Sequence, residues 1–133
     1  MLLITTGLAF LMAARALAAG RATSPGAELA IGRRIVNQEA LGGESPDRPF
    51  TAGETVYAAT AISGLRAGFV EHVWRHRGIE VARHYIPVPE GASRARARGF
   101  RTWSRRRLAR GEYTVEVLGP DGQRLAWHSF TAF

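Results

Sequence analysis

Cysteine and lysine are both missing from these 133 residues. The first absence excludes disulfides, thiolate metal sites, a cysteine nucleophile and a lipid-modified amino-terminal cysteine. The second leaves all eighteen basic residues as arginine, which a GC-rich coding bias explains without selection for guanidinium chemistry at each position. Charge of this kind speaks of partners and solubility rather than of fold. A membrane-length apolar run is lacking too: Leu2 to Ala14 is mostly apolar but too short for the ~20 residues that span a bilayer. The chain also has no Gly-x-Ser-x-Gly elbow, the strand-to-helix turn that presents a nucleophilic serine, and no glycine-rich loop leading into a helix that could hold a phosphate. Its acids are scattered rather than paired as a glycosidase requires. No catalytic or cofactor site is therefore expected.

What is present is an ordinary globular composition, 46% hydrophobic and 22% charged, of a length that suits one domain. The amino terminus differs from the rest. The short apolar run ends in Arg15-Ala16-Leu17-Ala18-Ala19, where Ala16 and Ala18 supply the small residues that an export peptidase requires. The expected division is a signal helix over 1–18, cleaved after Ala18, a flexible leader over 19–27 and one domain over 28–133. No arginine or lysine precedes the apolar run, and an uncleaved anchor is the alternative. Either way the protein is expected in the periplasm or cell envelope.

The body of the chain alternates with a period of two between turn residues, which indicates an antiparallel immunoglobulin-like β-sandwich of about seven strands. A first strand is expected within Glu28 to Leu41, interrupted at Gly32, and a second over Thr55 to Ile62. Val70 to Trp74 turns at Arg77-Gly78 into Ile79 to Val88; a two-residue turn there sets Trp74 opposite Val81, Val70 opposite Tyr85, Glu71 opposite His84 and Arg75 opposite Glu80. Tyr113 to Val117 turns at Pro120-Asp121-Gly122 into Leu125 to Phe130, with Val117 opposite Leu125 and Val115 opposite Trp127. Phe130 lies five residues beyond Leu125, so a bulge near His128 and Ser129, or an exposed Trp127, must reconcile the two. The expected core is Trp74, Val81, Tyr85, Trp103, Val115, Val117, Leu125 and Phe130.

His72, His76, Glu80 and His84 recur every four residues, as metal ligands on a helix would. The β-branched neighbours, Gly78 and Pro87 make this segment a hairpin, where residues four apart stand ~13 Å from one another, and His72 and His84 are expected on opposite faces. No metal site is expected. One feature stands above the background: between Arg94 and Arg110 lie eight arginines, Arg94, Arg96, Arg98, Arg101, Arg105, Arg106, Arg107 and Arg110, and no acid. Phe100 and Trp103 interleave with them. In an exported protein this pattern suits an anionic envelope polymer, lipid head groups or an acidic protein surface better than nucleic acid. Charges that only protect an edge strand are the alternative.

His72-Val73-Trp74 followed by a Gly78 turn, Arg101-Thr102-Trp103-Ser104, Gly111-Glu112-Tyr113-Thr114-Val115-Glu116-Val117, Asp121-Gly122 and Phe130 together resemble a bacterial family known as domain of unknown function 2914 (DUF 2914). The resemblance runs over roughly Arg34 to Phe133, with Tyr113 where the family prefers Trp and Arg77 where Asn is common. It implies a small sandwich domain of envelope or membrane-associated proteins and carries no activity, cofactor or binding residues. The expectation is a non-catalytic interaction module without cofactor, or a structural accessory domain with no ligand; an unsupported hydrolase is the weakest reading.

Overall fold

The computed structural model describes residues 25–66, 68–91 and 99–133. The expected signal helix and most of the leader lie outside them. The described residues are all-β: β1 (Gly26–Gly32), β2 (Arg34–Val36), β3 (Glu39–Leu41), β4 (Thr55–Ser63), β5 (Gly68–His76), β6 (Ile79–Val88), β7 (Phe100–Arg107), β8 (Gly111–Leu118) and β9 (Arg124–Ala132). That is nine strands where about seven were expected. The extra ones arise because the segment from Glu28 to Leu41 breaks into three: Gly32 ends β1, and Asn37 and Gln38 form a tight turn between β2 and β3 with φ of 50° and 65°. A Cβ on Gly32 would lie 2.4 Å from the Leu41 carbonyl oxygen, so only glycine lets β3 pass so close to β1.

Two antiparallel sheets form, ordered β1-β4-β7 and β6-β5-β8-β9, with β2-β3 as a separate hairpin. Both contribute to the same interior, an arrangement compatible with a small β-sandwich. Around Trp74 gather Phe50, Val56, Tyr113, Val115 and Phe130, with Leu29, Ile31 and Val81 partly buried against them. A second apolar group joins Ile62, Leu65, Val70, Val88 and Val117, with Phe100 and Leu125 at its margin.

The Arg77-Gly78 turn forms as the sequence predicts, with φ of 52° and 80°, the mirror-image turn whose twist suits a hairpin. Arg75 pairs with Glu80 across it. Beyond that pair the predicted register fails, because a bulge between Trp74 and Arg75 takes Val81 out of the ladder. Trp74 therefore faces Ala82, Val70 faces Ile86, Glu71 faces Tyr85 and His72 faces His84. A one-residue slip exchanges the faces of a strand. Tyr85, expected in the core, is consequently 63% exposed and stacks on Phe69 at 4.5 Å. Glu71 pairs with Arg83 instead of His84, and Arg83 also reaches Glu80.

In the second hairpin Gly122 takes a φ of 76°, and bonds from Gly122 N–H to the Gly119 carbonyl and from Gly119 N–H to the Gln123 carbonyl close the turn. The bulge falls at Leu125 rather than near His128, since Leu118 pairs with Arg124 and Val117 with Ala126. Val115 then faces His128, and Trp127 faces Glu116 on the outer surface, 55% exposed.

Arg33, between β1 and β2, ties down the long connection that follows β3. Its Nε donates to Glu54 Oε1 at 2.9 Å; one terminal nitrogen donates to the carbonyls of Gly42 and Gly43, and the other to those of Arg48 and Pro49. The guanidinium lies 4.7 Å from the Phe50 ring centre. Five donors meet five acceptors, which uses the full capacity of the group. At the same end of the molecule, where the Leu108 N–H donates to the Glu54 carbonyl, the Ala109 N–H donates to the Tyr113 hydroxyl at 2.8 Å, fixing the corner between β7 and β8.

Candidate functional site

Among the described residues β7 pairs only with β4 and is an edge of the three-stranded sheet. Period-two alternation sends Ser104 to the interior, and Arg101, Trp103, Arg105 and Arg107 to the outer face in one column. Across the sheet these residues stand in rows: Arg101 beside Ala61 and Glu28, Trp103 beside Ala59 and Ala30, Arg105 beside Tyr57 and Gly32, and Arg107 beside Thr55. Trp103, expected in the core, is 39% exposed and meets Tyr57 edge-on at 5.5 Å. The alternation explains this: Ser104 and Trp103 are neighbours in sequence, and only one of them can point inward.

The eight arginines of the basic segment separate accordingly. Arg101, Arg105 and Arg107 share the outer face; Arg101 makes an ion pair with Glu39 at 3.4 Å, whereas no carboxylate among the described residues pairs with Arg105 or Arg107. Arg106 points the other way, one terminal nitrogen reaching the Val81 carbonyl at 3.4 Å. Arg110 lies beyond β7, its carbonyl accepting bonds from His76 and Arg77. Arg94, Arg96 and Arg98 lie outside the described residues. Thr55, Arg105, Arg106 and Arg107 line a shallow basic hollow at one end of the column.

At the other end, the column runs into a cleft of about 300 Å³ between the β2-β3 hairpin and the outer face of the sheet. Its floor includes the methyl groups of Ala30, Ala59 and Ala61, and Glu28, Gln38, Glu39 and Arg101 supply its polar groups. No motif in the linear sequence marks this cleft, because its walls come from four strands. The run of small residues on one side of β4 was its visible trace.

Between the two apolar groups of the core runs a buried polar seam. His72 Nδ1 lies 2.7 Å from Ser104 Oγ, His72 Nε2 lies 3.2 Å from Thr60 Oγ1, and Trp74 Nε1–H donates to Ser104 Oγ at 3.0 Å. With its oxygen accepting the indole proton, the Ser104 hydroxyl is free to donate to Nδ1, which puts the imidazole proton on Nε2, facing Thr60. The seam thus runs from β5 to both β4 and β7, joining the two sheets. Burial, and then the nearby charge of His84, hold the His72 pKa down at about 4, so the ring is neutral at physiological pH. His84 shares its face, contrary to the expectation of opposite faces.

A serine beside an imidazole is the beginning of a nucleophilic site. Here His72, Thr60 and Ser104 are all buried, and among the described residues no carboxylate orients the ring. The seam has the composition of a specificity element in a core rather than of a site open to substrate.

No curated protein and no solved structure matches the chain. A family model does match, over residues 69–132, which is narrower than the resemblance seen in sequence: it begins with β5 and takes in the four-stranded sheet and β7, leaving out β1 to β4. That stretch contains the sealed histidine, the tryptophan it neighbours and the arginine column. Over these residues the chain is similar to the family described as Protein of unknown function (DUF2914).

Proposed function

We propose that this is a non-catalytic, exported immunoglobulin-like module that binds an anionic polymer of the cell envelope through the outer face of β7. The strand order supports the immunoglobulin-like reading: β4 and β7 would be strands B and E, β5, β8 and β9 strands C, F and G, and β6 the added C′. Trp74 sits on strand C in the interior, and Tyr113, at the start of strand F, bonds a backbone group four residues upstream, as in a tyrosine corner. Export rests on the apolar run from Leu2 and the small residues at Ala16 and Ala18.

The observation that carries the binding reading is the column itself. Arg105 and Arg107 project from one face of an edge strand with no acid opposite them, next to a part-exposed tryptophan. Like charges about 7 Å apart repel within the ~8 Å screening length at physiological salt, and an anion relieves that repulsion. The sealed seam argues against a hydrolase, since a substrate would have to enter the core to reach Ser104. The edge position of β7 favours a second reading, in which the arginines only prevent sheet-to-sheet association.

Salt elution from phosphocellulose or heparin separates the two. A double variant Arg105→Ser, Arg107→Ser should elute at lower salt, with its salt dependence reduced by about two counterions. A double variant Arg83→Ser, Arg124→Ser on the other sheet, equal in net charge, should elute with the wild type. Coincident elution of both variants would leave only the structural reading.

A further inference from the structure

We infer that the cleft beside the arginine column takes one sugar ring of an acidic polysaccharide, whose anionic groups lie on Arg105 and Arg107. The inference rests on the anionic-polymer reading above and specifies its ligand. It begins with the backbone of the β2-β3 turn. Asn37 and Gln38 both have positive φ, as a two-residue mirror-image turn demands; Asn suits its position, but the second one strongly favours glycine. Gln38 is therefore held in a conformation that a glycine would adopt at less cost, and its residue lines the cleft. Backbone strain retained beside a cavity points to a use for the side chain.

The chemistry of the lining defines that use. Planar carboxylate, amide and guanidinium groups from Glu28, Glu39, Gln38 and Arg101 are suited to hydrogen-bonding pairs of neighbouring hydroxyls. Alanine methyls and backbone make a flat floor for the C–H face of a ring. A cavity of about 300 Å³ is at the small end of ligand sites. Charge then divides the ligand in two. Glu28, which makes no ion pair among the described residues, disfavours a phosphate or sulfate in the cleft, while Arg105 and Arg107, about 13 to 20 Å along the strand from Arg101, favour one. An occupant with an uncharged hydroxylated unit and anionic groups further along the same chain satisfies both ends. Inorganic polyphosphate satisfies only the arginines.

The test measures binding to the full chain by titration calorimetry at fixed ionic strength, with tetrasaccharides of hyaluronate and of unsulfated chondroitin, in which an uncharged ring alternates with a uronate, on one side and linear polyphosphate on the other. At least one tetrasaccharide should bind the wild type. Gln38→Gly and Ala61→Leu, the first removing an amide and the second filling the floor, should each weaken it about tenfold, the loss of one or two hydrogen bonds, and leave polyphosphate binding unchanged. Arg105→Ser with Arg107→Ser should weaken both. Gln38→Gly should melt at the wild-type temperature or above, so that its lost affinity cannot be assigned to unfolding. Unchanged tetrasaccharide affinity in the two cleft variants, or polyphosphate binding without any tetrasaccharide binding, would overturn the cleft and leave the arginine column standing. Failure of the wild type to bind either class would overturn the anionic-polymer reading together with it.

Discussion

Arg33 is the clearest case in which a single side chain could not be exchanged for its nearest chemical relative. Its five donors serve Glu54 and four backbone carbonyls of the connection after β3, and an ammonium offers three protons in a different geometry. Arg33→Lys should cost about 2 kcal/mol of stability, read from urea denaturation, whereas Arg48→Lys on the exposed loop should cost about none. Ser104 presents the complementary situation. Ser104→Ala strands both the Trp74 indole N–H and His72 Nδ1 in the core, for about 2 to 4 kcal/mol; a loss within error of zero would mean that the seam contributes nothing to holding the sheets together. Neither residue announced itself in the sequence. Ser104 and His72 are 32 positions apart, and a pair so distant becomes visible only once the topology lays β7 and β5 on opposite layers.

Among the elements, the hairpins were legible and their alignment was not. Turn chemistry at Arg77-Gly78 and Pro120-Asp121-Gly122 is local, and both turns form where it placed them. Register depends on bulges, which add a residue without altering composition or alternation. The two bulges, at Val81 and Leu125, account for the misplacement of Tyr85 and for the exposure of Trp127. Complementary charge was a misleading guide: Arg75 opposite Glu80 was right, but Glu71 found Arg83, one residue short of the expected His84. Trp74, Val115, Val117 and Phe130 lie in the interior, and Val81 and Leu125 pack at its margins. Of the candidate site, alternation alone suffices to align Arg101, Arg105 and Arg107, but the β2-β3 hairpin that walls the cleft is only six residues of strand and carries too few side chains to show a period. At the first turn, Arg77 occupies a left-handed position that asparagine tolerates better. Arg77→Asn should therefore raise the melting temperature by a few degrees, equivalent to about 0.5 kcal/mol, and a lowered melting temperature would show that the Arg77 contact with the Arg110 carbonyl outweighs the backbone preference.

For the molecule as a whole, acid is the condition that tests how the layers are joined. His72 has a pKa of about 4 when folded against an ordinary 6.5, so between these values the unfolded chain binds the proton more readily and stability falls as the pH falls. The full loss is about 3 kcal/mol, reached near pH 4; above pH 6.5 both states hold a neutral ring and this contribution is constant. Glu54, held low by Arg33, and Glu116, held low by Arg75 and Arg124, stabilise the folded state above the ordinary carboxylate range and lose that contribution as the pH drops below it. Chemical denaturation from pH 7 to 4 should therefore show a steady decline, and His72→Asn should flatten the upper part of it, from pH 6.5 to 5. An equal slope in that variant would assign the acid sensitivity elsewhere.

The indole proton of Trp74 and the ring proton of His72 reach solvent only when the sheets part. Their replacement by deuterium is accordingly a clock for that opening, set inside the protein and readable without labels. A polymer that grips the outside of one sheet should slow it if binding braces the whole body, and leave it running unchanged if the grip is confined to the rim.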